Sequence, residues 1–279
     1  MERIVSYRNG SLEPGETEIV GEYPLKIIVN NREIVTLICS PHDLKFLVAG
    51  FLRMQGFVRT VEDFLMLSVC SDFGVANVGI KGEVPQNLRP VLTSGCGAGI
   101  SFTLHRPAES RSGASNGPRL PIRPSEIFGL MGQLARLAEH YRSYGGIHSG
   151  AAGVRGSILL YAEDVGRHNT FDRIAGESLF RGIELSETMF VTSGRVSAEL
   201  AAKAAALGIS AIASRTSPTD MAVKICEDAG ISLIGYVRGD RFTVYTFPER
   251  LICPEKASLA SSGPTALQPE REACGSSVP

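Results

Sequence analysis

The chain has 279 residues, 43% of them hydrophobic, enough for one large domain or two of ordinary size without disulfide support. Lys and Arg total 28 against 29 Asp and Glu, a formal net charge of -1, so no global field draws the chain to nucleic acid or an anionic membrane, and any anion site is local. The opening MERIVSYRNGSLEPGE lacks an apolar signal core, no run is long enough to span a bilayer, and the six cysteines are scattered without a C-x-x-C pair, which points to a cytoplasmic protein with reduced thiols.

In chain order, KIIVNNREIVTLIC places two β-branched runs around Asn30 and Asn31, whose tolerance of positive φ predicts a tight hairpin. SPHDLKFLVAGFLRMQG then offers Ser40 as N-cap, Pro41 at the first helical position and Asp43 in the first turn. Leu44, Leu47, Val48, Phe51 and Leu52 follow the spacing of one apolar helix face. FLMLSVC and VANVGI, separated by SDFG, read as another strand pair. Residues 1–105 are thus expected to form a smaller N-terminal α+β domain closed by VLTSGCGAGISF. In that stretch Cys96 sits among Gly95, Gly97 and Gly99, which give a thiol no packing and leave its sulfur reachable.

Residues 106–121, RPAESRSGASNGPRLP, have the composition of a flexible linker. A helix is predicted from Ser125, with Ile127, Leu130, Met131, Leu134, Leu137 and Tyr141 on one face and Gly145 and Gly146 at its end. From Ser157 onward strands alternate with helices: SILLYA, a helix through Phe171, Ile174 and Leu179, MFVTS, AELAAKAAALG, SAIAS, PTDMAVKICEDAG, ISLIGYV and RFTVYTF. This gives residues 122–252 an α/β layering in a chain that is α+β overall. The polar tail 253–279, with Cys274, is expected to be disordered.

Three stretches fall where strands give way to loops or helices: EDVGRHNTFD, TSGRVSAE and ASRTSPTD. In open α/β sheets such edges form the ligand crevice. Helix N-termini with Arg167, Arg195, Arg215, Ser193 and Ser197 suit phosphate oxygens, although each stretch taken singly also reads as ordinary capping. His148 and His168 are candidate phosphate donors or acid–base groups, and each also reads as a structural histidine. A nucleobase deaminase would need H-x-E and P-C-x-x-C to hold zinc; neither occurs, so no zinc site is expected.

Several of these stretches together, namely EYPLKIIVNN with SPHDLKFLVAGFL, TSGCG, GGIH, EDVGRHNTFDRI, VTSGRVSAEL with Lys203, and GYVRGDRFTVYTFPERL, resemble the FdhD family of formate dehydrogenase accessory sulfurtransferases. The likeness runs from about Glu22 to about Leu251. It implies a cytidine-deaminase-like α/β/α layered C-terminal domain without zinc chemistry. It also implies a homodimeric sulfur carrier that takes a persulfide from a cysteine desulfurase and passes sulfur to a molybdenum or tungsten bis-pterin guanine dinucleotide cofactor for the formate dehydrogenase catalytic subunit. A guanine nucleotide would be a partial mimic of that cofactor.

The resemblance carries the persulfide role to Cys96. The family's second loop cysteine is Gly99 here, and a resolving thiol cannot come from that position. Phe242, Thr243, Val244, Tyr245, Thr246 and Phe247 match the family's cofactor-binding segment, and alternation in a strand accounts for the same residues. His168, Ser193, Gly194 and Arg195 complete the cofactor set. Two other readings stay open: a non-catalytic chaperone that shelters the cofactor, and a cysteine-nucleophile hydrolase with His148 or His168 as base.

Overall fold

The computed structural model describes residues 2–85, 90–92, 100–102 and 121–252. Asn9 and Gly10, both at positive φ, close a hairpin between β1 (Glu2–Arg8) and β2 (Ser11–Thr17), paired without a break from Glu2–Thr17 to Arg8–Ser11. The sequence reading assigns nothing here, although an Asn-Gly pair is the strongest short hairpin signal. The next hairpin stands where it is expected. β3 (Tyr23–Val29) and β4 (Arg32–Cys39) turn on Asn30 and Asn31, at φ 47° and 64°.

Helix α1 (Leu44–Met54) buries the expected face, with Leu44, Leu47, Val48, Phe51 and Leu52 all in the core. Its start differs from expectation. Asp43, in the left-handed region at φ 45°, precedes the first turn without a side-chain cap, and Ser40 bonds to distant residues instead. β5 (Phe64–Cys70) and β6 (Val75–Ile80) complete a four-stranded sheet ordered β4-β3-β6-β5, whose core with α1 includes Leu25, Ile27, Val78 and Ile80. β7 (Pro90–Leu92) pairs antiparallel with β8 (Ile100–Phe102). Cys96, residues 106–120 of the expected linker and the tail 253–279 lie outside the described residues.

The single helix expected after Ser125 is two. α2 (Pro124–Leu137) ends where Ala138 leaves helical geometry, and α3 (Glu139–Tyr144) runs on to Gly145 at φ 66°. Ile127, Leu130, Met131 and Leu134 are buried, but Leu137 and Tyr141 are exposed. The apolar face predicted from spacing therefore stops at the break. The next difference is larger. HSGAAGV, to which the sequence reading assigns no element, is strand β9 (His148–Val154), paired antiparallel with β10 (Ser157–Asp164).

Helix α4 (Arg167–Arg181), β11 (Met189–Thr192), α5 (Ala198–Ala206), β12 (Ala211–Ser214), α6 (Asp220–Asp228), β13 (Ser232–Arg238) and β14 (Arg241–Val244) follow the predicted alternation. They build a six-stranded sheet ordered β10-β9-β11-β12-β13-β14, in which β11, β12 and β13 are parallel. Alternate residues point to two cores: Ala152, Phe190, Ile212 and Leu233 meet α4, α5 and α6, while Ala151, Val191, Ala213 and Ile234 share a core with α2. Fully buried parallel strands need apolar residues on both sides, which MFVT and AIAS supply. No helix of the described residues is long and apolar enough to cross a membrane.

The two halves join through α1 and α4. A β-carbon on Gly50 would overlap the Asp172 carbonyl oxygen, and one on Gly176 would overlap that of Phe46, so the helix backbones touch at a level only glycine permits. Arg53 Nη1 caps the contact by donating to Ala175 O (2.9 Å) and Ser178 Oγ (3.0 Å). Beside it, Asp164, fully buried, accepts from Ser40 N, Gly166 N, Asn169 Nδ2 and Arg173 Nε and Nη2 at 2.6–3.2 Å. Arg173 also donates to the carbonyls of Ser40 and His42.

Gly50→Ala and Gly176→Ala should each destabilise the protein by about 1–3 kcal/mol or more, since an added methyl must force the helices apart. The control is Gly132→Ala in α2, whose new β-carbon meets only Arg136 Nη1 at 3.6 Å; it should be neutral or stabilising by up to about 1 kcal/mol. Urea midpoints of the three variants check this.

Candidate functional site

Strands β11, β12 and β13 end at one edge of the sheet, where β10 also ends and antiparallel β9 begins. That edge gathers His148, Ser149, Asp164, Ser193, Gly194, Arg195, Arg215 and Tyr236 from separate parts of the sequence. The loop after β11 is tightly fixed. Ser193 N donates to Ser149 O (2.9 Å) and Ser149 N donates to Ser193 Oγ (3.0 Å), while Ser214 Oγ donates to Gly194 O (2.7 Å). Gly194 has little room: a β-carbon there would stand 3.1 Å from Arg167 Cβ and 3.3 Å from His148 Nδ1.

The second loop, after β12, is locked to the first, because Arg215 N donates to Thr192 O (3.1 Å) and Thr216 N to Ser214 Oγ (2.9 Å). Arg195 and Arg215 are exposed. A cavity of about 220 Å3 opens here, lined by Ser149, Ser193 and Arg215 together with Leu134, Tyr141 and Arg142 from α2 and α3. It offers hydroxyls and guanidinium groups on one side and an apolar wall on the other. That combination suits an anionic group attached to a less polar body.

Behind this edge, α4 and α5 share a buried polar chain. His168 Nε2 lies 2.8 Å from Ser197 Oγ, and its Nδ1 lies 3.3 Å from Glu199 Oε2. A carboxylate only accepts, so the proton belongs on Nδ1 and the Ser197 hydroxyl donates to Nε2, while Ser197 Oγ accepts from Leu200 N at the start of α5. Lys203 Nζ bridges Glu199 Oε1 (3.1 Å) and Asp172 Oδ2 (2.9 Å). Asp172 Oδ1 is buried with no hydrogen-bond partner among the described residues.

Burial sets the protonation of this chain. It drives His168 down to about 4, helped by Lys203, Arg167 and His148 and opposed by Glu199. It lifts Asp172 to about 6 against the pull of Lys203. Burial works against the Lys203 charge, but Asp172 and Glu199 outweigh it and hold its pKa above the ordinary value. His148 is lowered by burial and then by Arg167. At neutral pH, therefore, His168 is an uncharged imidazole with both nitrogens turned to α5.

The stretch 242–247 divides. Phe242 packs on Phe128, ring centroids 5.5 Å apart, and Thr243 is exposed opposite Gly235. Val244 pairs with Ile234. Tyr245 leans on the α4–α6 core and on Gly235. Thr246 is buried; its hydroxyl donates to Ile231 O (2.6 Å) and accepts from Leu233 N (2.7 Å), which leaves no proton for a ligand. Phe247, at φ 55°, lies under Arg250. Of the six, Phe242 and Thr243 line a second cavity, with Tyr236, Arg238 and Arg241. Of the ten expected cofactor residues, Phe242 and Thr243 line one cavity, Ser193 lines the other and His168 lies in the buried chain, while Gly194 and Arg195 follow Ser193 in its loop and Val244, Tyr245, Thr246 and Phe247 line neither cavity. The sequence reading gives no role to Ser149, Tyr236, Arg238 or Arg241; the charge of the two arginines beside a Gly-Asp turn was the signal available.

Three thiols fall among the described residues. Cys39 and Cys226 are buried and free, and burial pushes each up to about 12, with Asp164 adding to the effect at Cys39. Neither is an attacking thiolate at neutral pH. Cys70 is exposed.

Comparison with known proteins places this architecture. A family model described as the FdhD/NarQ family matches residues 20–252. The chain is similar to the sulfur carrier protein FdhD of Bacillus licheniformis, 32% identical over 253 residues that cover 89% of this chain and 95% of that protein. It is likewise similar to the sulfur carrier protein FdhD of Bacillus subtilis, 32% identical over 251 residues covering 88% and 94%. A crystal structure of a formate dehydrogenase accessory protein from Desulfotalea psychrophila superposes with a TM-score of 0.72 at 25% identity, covering 90% of this chain and 98% of that one.

The His168 chain makes a pH prediction with a definite sign. A histidine lowered from 6.5 to about 4 contributes stability that is present above pH 6.5 and lost as pH falls toward 4, because the unfolded chain binds the proton first. Asp172, raised from 3.8 to about 6, acts in the opposite direction over much of the same window. The melting-temperature advantage of wild type over His168→Gln should therefore shrink as pH is lowered from 6.5 to 4. A gap that stays constant across this range would show that His168 titrates normally.

Proposed function

Since the chain belongs to the FdhD/NarQ family, we propose that it is a sulfur carrier serving formate dehydrogenase, with Cys96 bearing the sulfur as a persulfide. A cysteine desulfurase supplies that sulfur, and its destination is a molybdenum or tungsten bis-pterin guanine dinucleotide cofactor, handled as cargo for the formate dehydrogenase catalytic subunit. The observation that carries the reading is the family match over residues 20–252, which spans Cys96 in the TSGCG stretch. The thiol inventory supports it, since burial removes Cys39 and Cys226 from the candidates.

Loading is a thiol exchange. The Cys96 thiolate attacks the outer sulfur of the desulfurase persulfide, the S–S bond there breaks, and the desulfurase thiolate leaves, so sulfur moves without net oxidation. Glycines on both sides leave that sulfur open to attack. With Gly99 at the second position of the pair, no nearby thiol in the stretch can displace the sulfur as sulfide before the acceptor arrives. His168, Ser193, Gly194 and Arg195, with the 242–247 stretch, belong in this reading to the half of the protein that holds the cofactor. Two copies of the chain form the working unit.

A chaperone that binds the cofactor without moving sulfur is the second reading, and Gly99 is the observation that favours it. The two separate cleanly. After incubation with a cysteine desulfurase and cysteine, intact mass should rise by one sulfur, localised to Cys96 by peptide mapping. Cys96→Ser should accept none and fail to support formate dehydrogenase activity in cells, and Cys70→Ser should behave as wild type. Gly99→Cys should lose its persulfide faster than wild type under non-reducing conditions. Full activity with Cys96→Ser would remove Cys96 from the carrier role.

A further inference from the structure

At the opposite edge of the six-stranded sheet, where β9 ends and β10, β11 and β12 begin, lies another cavity, of about 400 Å3. Its size is within the about 300–1,000 Å3 of small-molecule sites. Ile122, Leu130 and Met189, all buried, give it an apolar wall. Arg123, Glu126, Arg155 and Glu187 give it charge of both signs. Nothing in the carrier reading uses these residues.

Two of them stand in the left-handed region, Arg155 at φ 50° and Glu187 at φ 64°. Arg155 and Gly156 form the two-residue turn between β9 and β10, a place where positive φ is required and asparagine or glycine is the usual occupant. Glu187 is held by its own N–H, which donates to Gly208 O at 3.3 Å. The β9–β11 ladder stops at the Gly153–Met189 pair, and two residues further in the same register Arg155 would face Glu187. Opposite charges so placed on antiparallel strands ordinarily pair. Here the backbone turns both residues off the ladder, and neither side chain has an ion pair or hydrogen bond among the described residues. Strained backbone of this kind gathers at ligand clamps.

The geometry points to a binding site for a free α-amino acid with an apolar side chain, its carboxylate taken by Arg155, its ammonium by Glu187 and its side chain by the wall of Ile122, Leu130 and Met189. A guanidinium fork matches a carboxylate in charge and donor spacing. A carboxylate only accepts, so Glu187 suits the protons of an ammonium. β9 and β11 are neighbours in the sheet, at a spacing of about 4.8 Å, so one carbon bearing both charges can answer both residues. Glu126 and Glu187 together repel a polyanion, which sets this site apart from the edge that carries Ser193 and Arg215.

The test titrates the full chain by calorimetry with L-leucine, with L-leucinamide, which lacks the carboxylate, and with N-acetyl-L-leucine, which lacks the ammonium. Wild type should bind leucine, and each derivative about tenfold or more weakly. Arg155→Gly and Glu187→Gly suit the left-handed backbone, so both should keep the wild-type circular dichroism and melt no lower than wild type. Arg155→Gly should weaken leucine about tenfold and leave leucinamide unchanged, while Glu187→Gly should weaken leucine by as much and leave N-acetylleucine unchanged. Equal leucine affinity in wild type and both variants would overturn the site, as would either derivative binding wild type as tightly as leucine. Absence of leucine binding at millimolar concentration would overturn it as well. The three wild-type titrations decide the question even where a variant fails to fold, and they are independent of sulfur loading on Cys96.

Discussion

The buried carboxylate of Asp164 is the point on which the architecture turns. It ends β10, starts the turn into α4, and accepts five hydrogen bonds from both halves of the chain. A carboxylate removed from water is costly unless its lone pairs are filled, and here backbone amides, an asparagine amide and a guanidinium fill them together. Because Ser40 and His42 belong to the first half and Arg173 to α4, satisfying this one charge also sets the angle between the halves. The same pair of halves meets again at the glycine contact of α1 with α4, which leaves no room for a β-carbon.

This arrangement changes the meaning of EDVGRHNTFD. Read as a sequence, its charges suggest ligand contacts. In the folded protein Asp164, Asn169 and Arg173 tie the halves together, while His168 and Asp172 join Glu199 and Lys203 inside. The groups left facing solvent at the sheet edge include Arg195 and Arg215, on loops whose backbones are pinned by short hydrogen bonds, and Arg238 and Arg241, at the paired ends of β13 and β14. A rigid, neutralised interior beneath exposed cations is an effective way to hold an anion without moving to meet it.

The legible parts of the fold were those whose burial follows a simple period. The helix face of α1 and the apolar runs MFVT and AIAS declare themselves because each packs along its whole length. Strand β9 does not, since Ser149, Gly150, Ala151, Ala152 and Gly153 carry almost no β-propensity; they are small because α2 and α4 press on the sheet from both sides. The Ser40 cap failed for a related reason, namely that partners 124 and 125 residues away outbid the local helix start. Cys96, singled out by its glycines, lies outside the described residues, and the conformation of Tyr236 was not legible, because nothing in GYVRGD announces a left-handed tyrosine.

The helix contact at Gly50 has a consequence for how the chain is made. Arg53 waits for partners at Ala175 and Ser178, 122 and 125 residues later. At synthesis rates of about 5–20 residues per second, α1 would emerge roughly 6–25 s before α4 can reach it. Through that interval the first sheet can fold on its own core, yet the face of α1 around Phe46 and Gly50 stays open to wrong neighbours. The long separation of these contacts makes this docking a slow, late event, and the nascent first half a natural client for a folding chaperone.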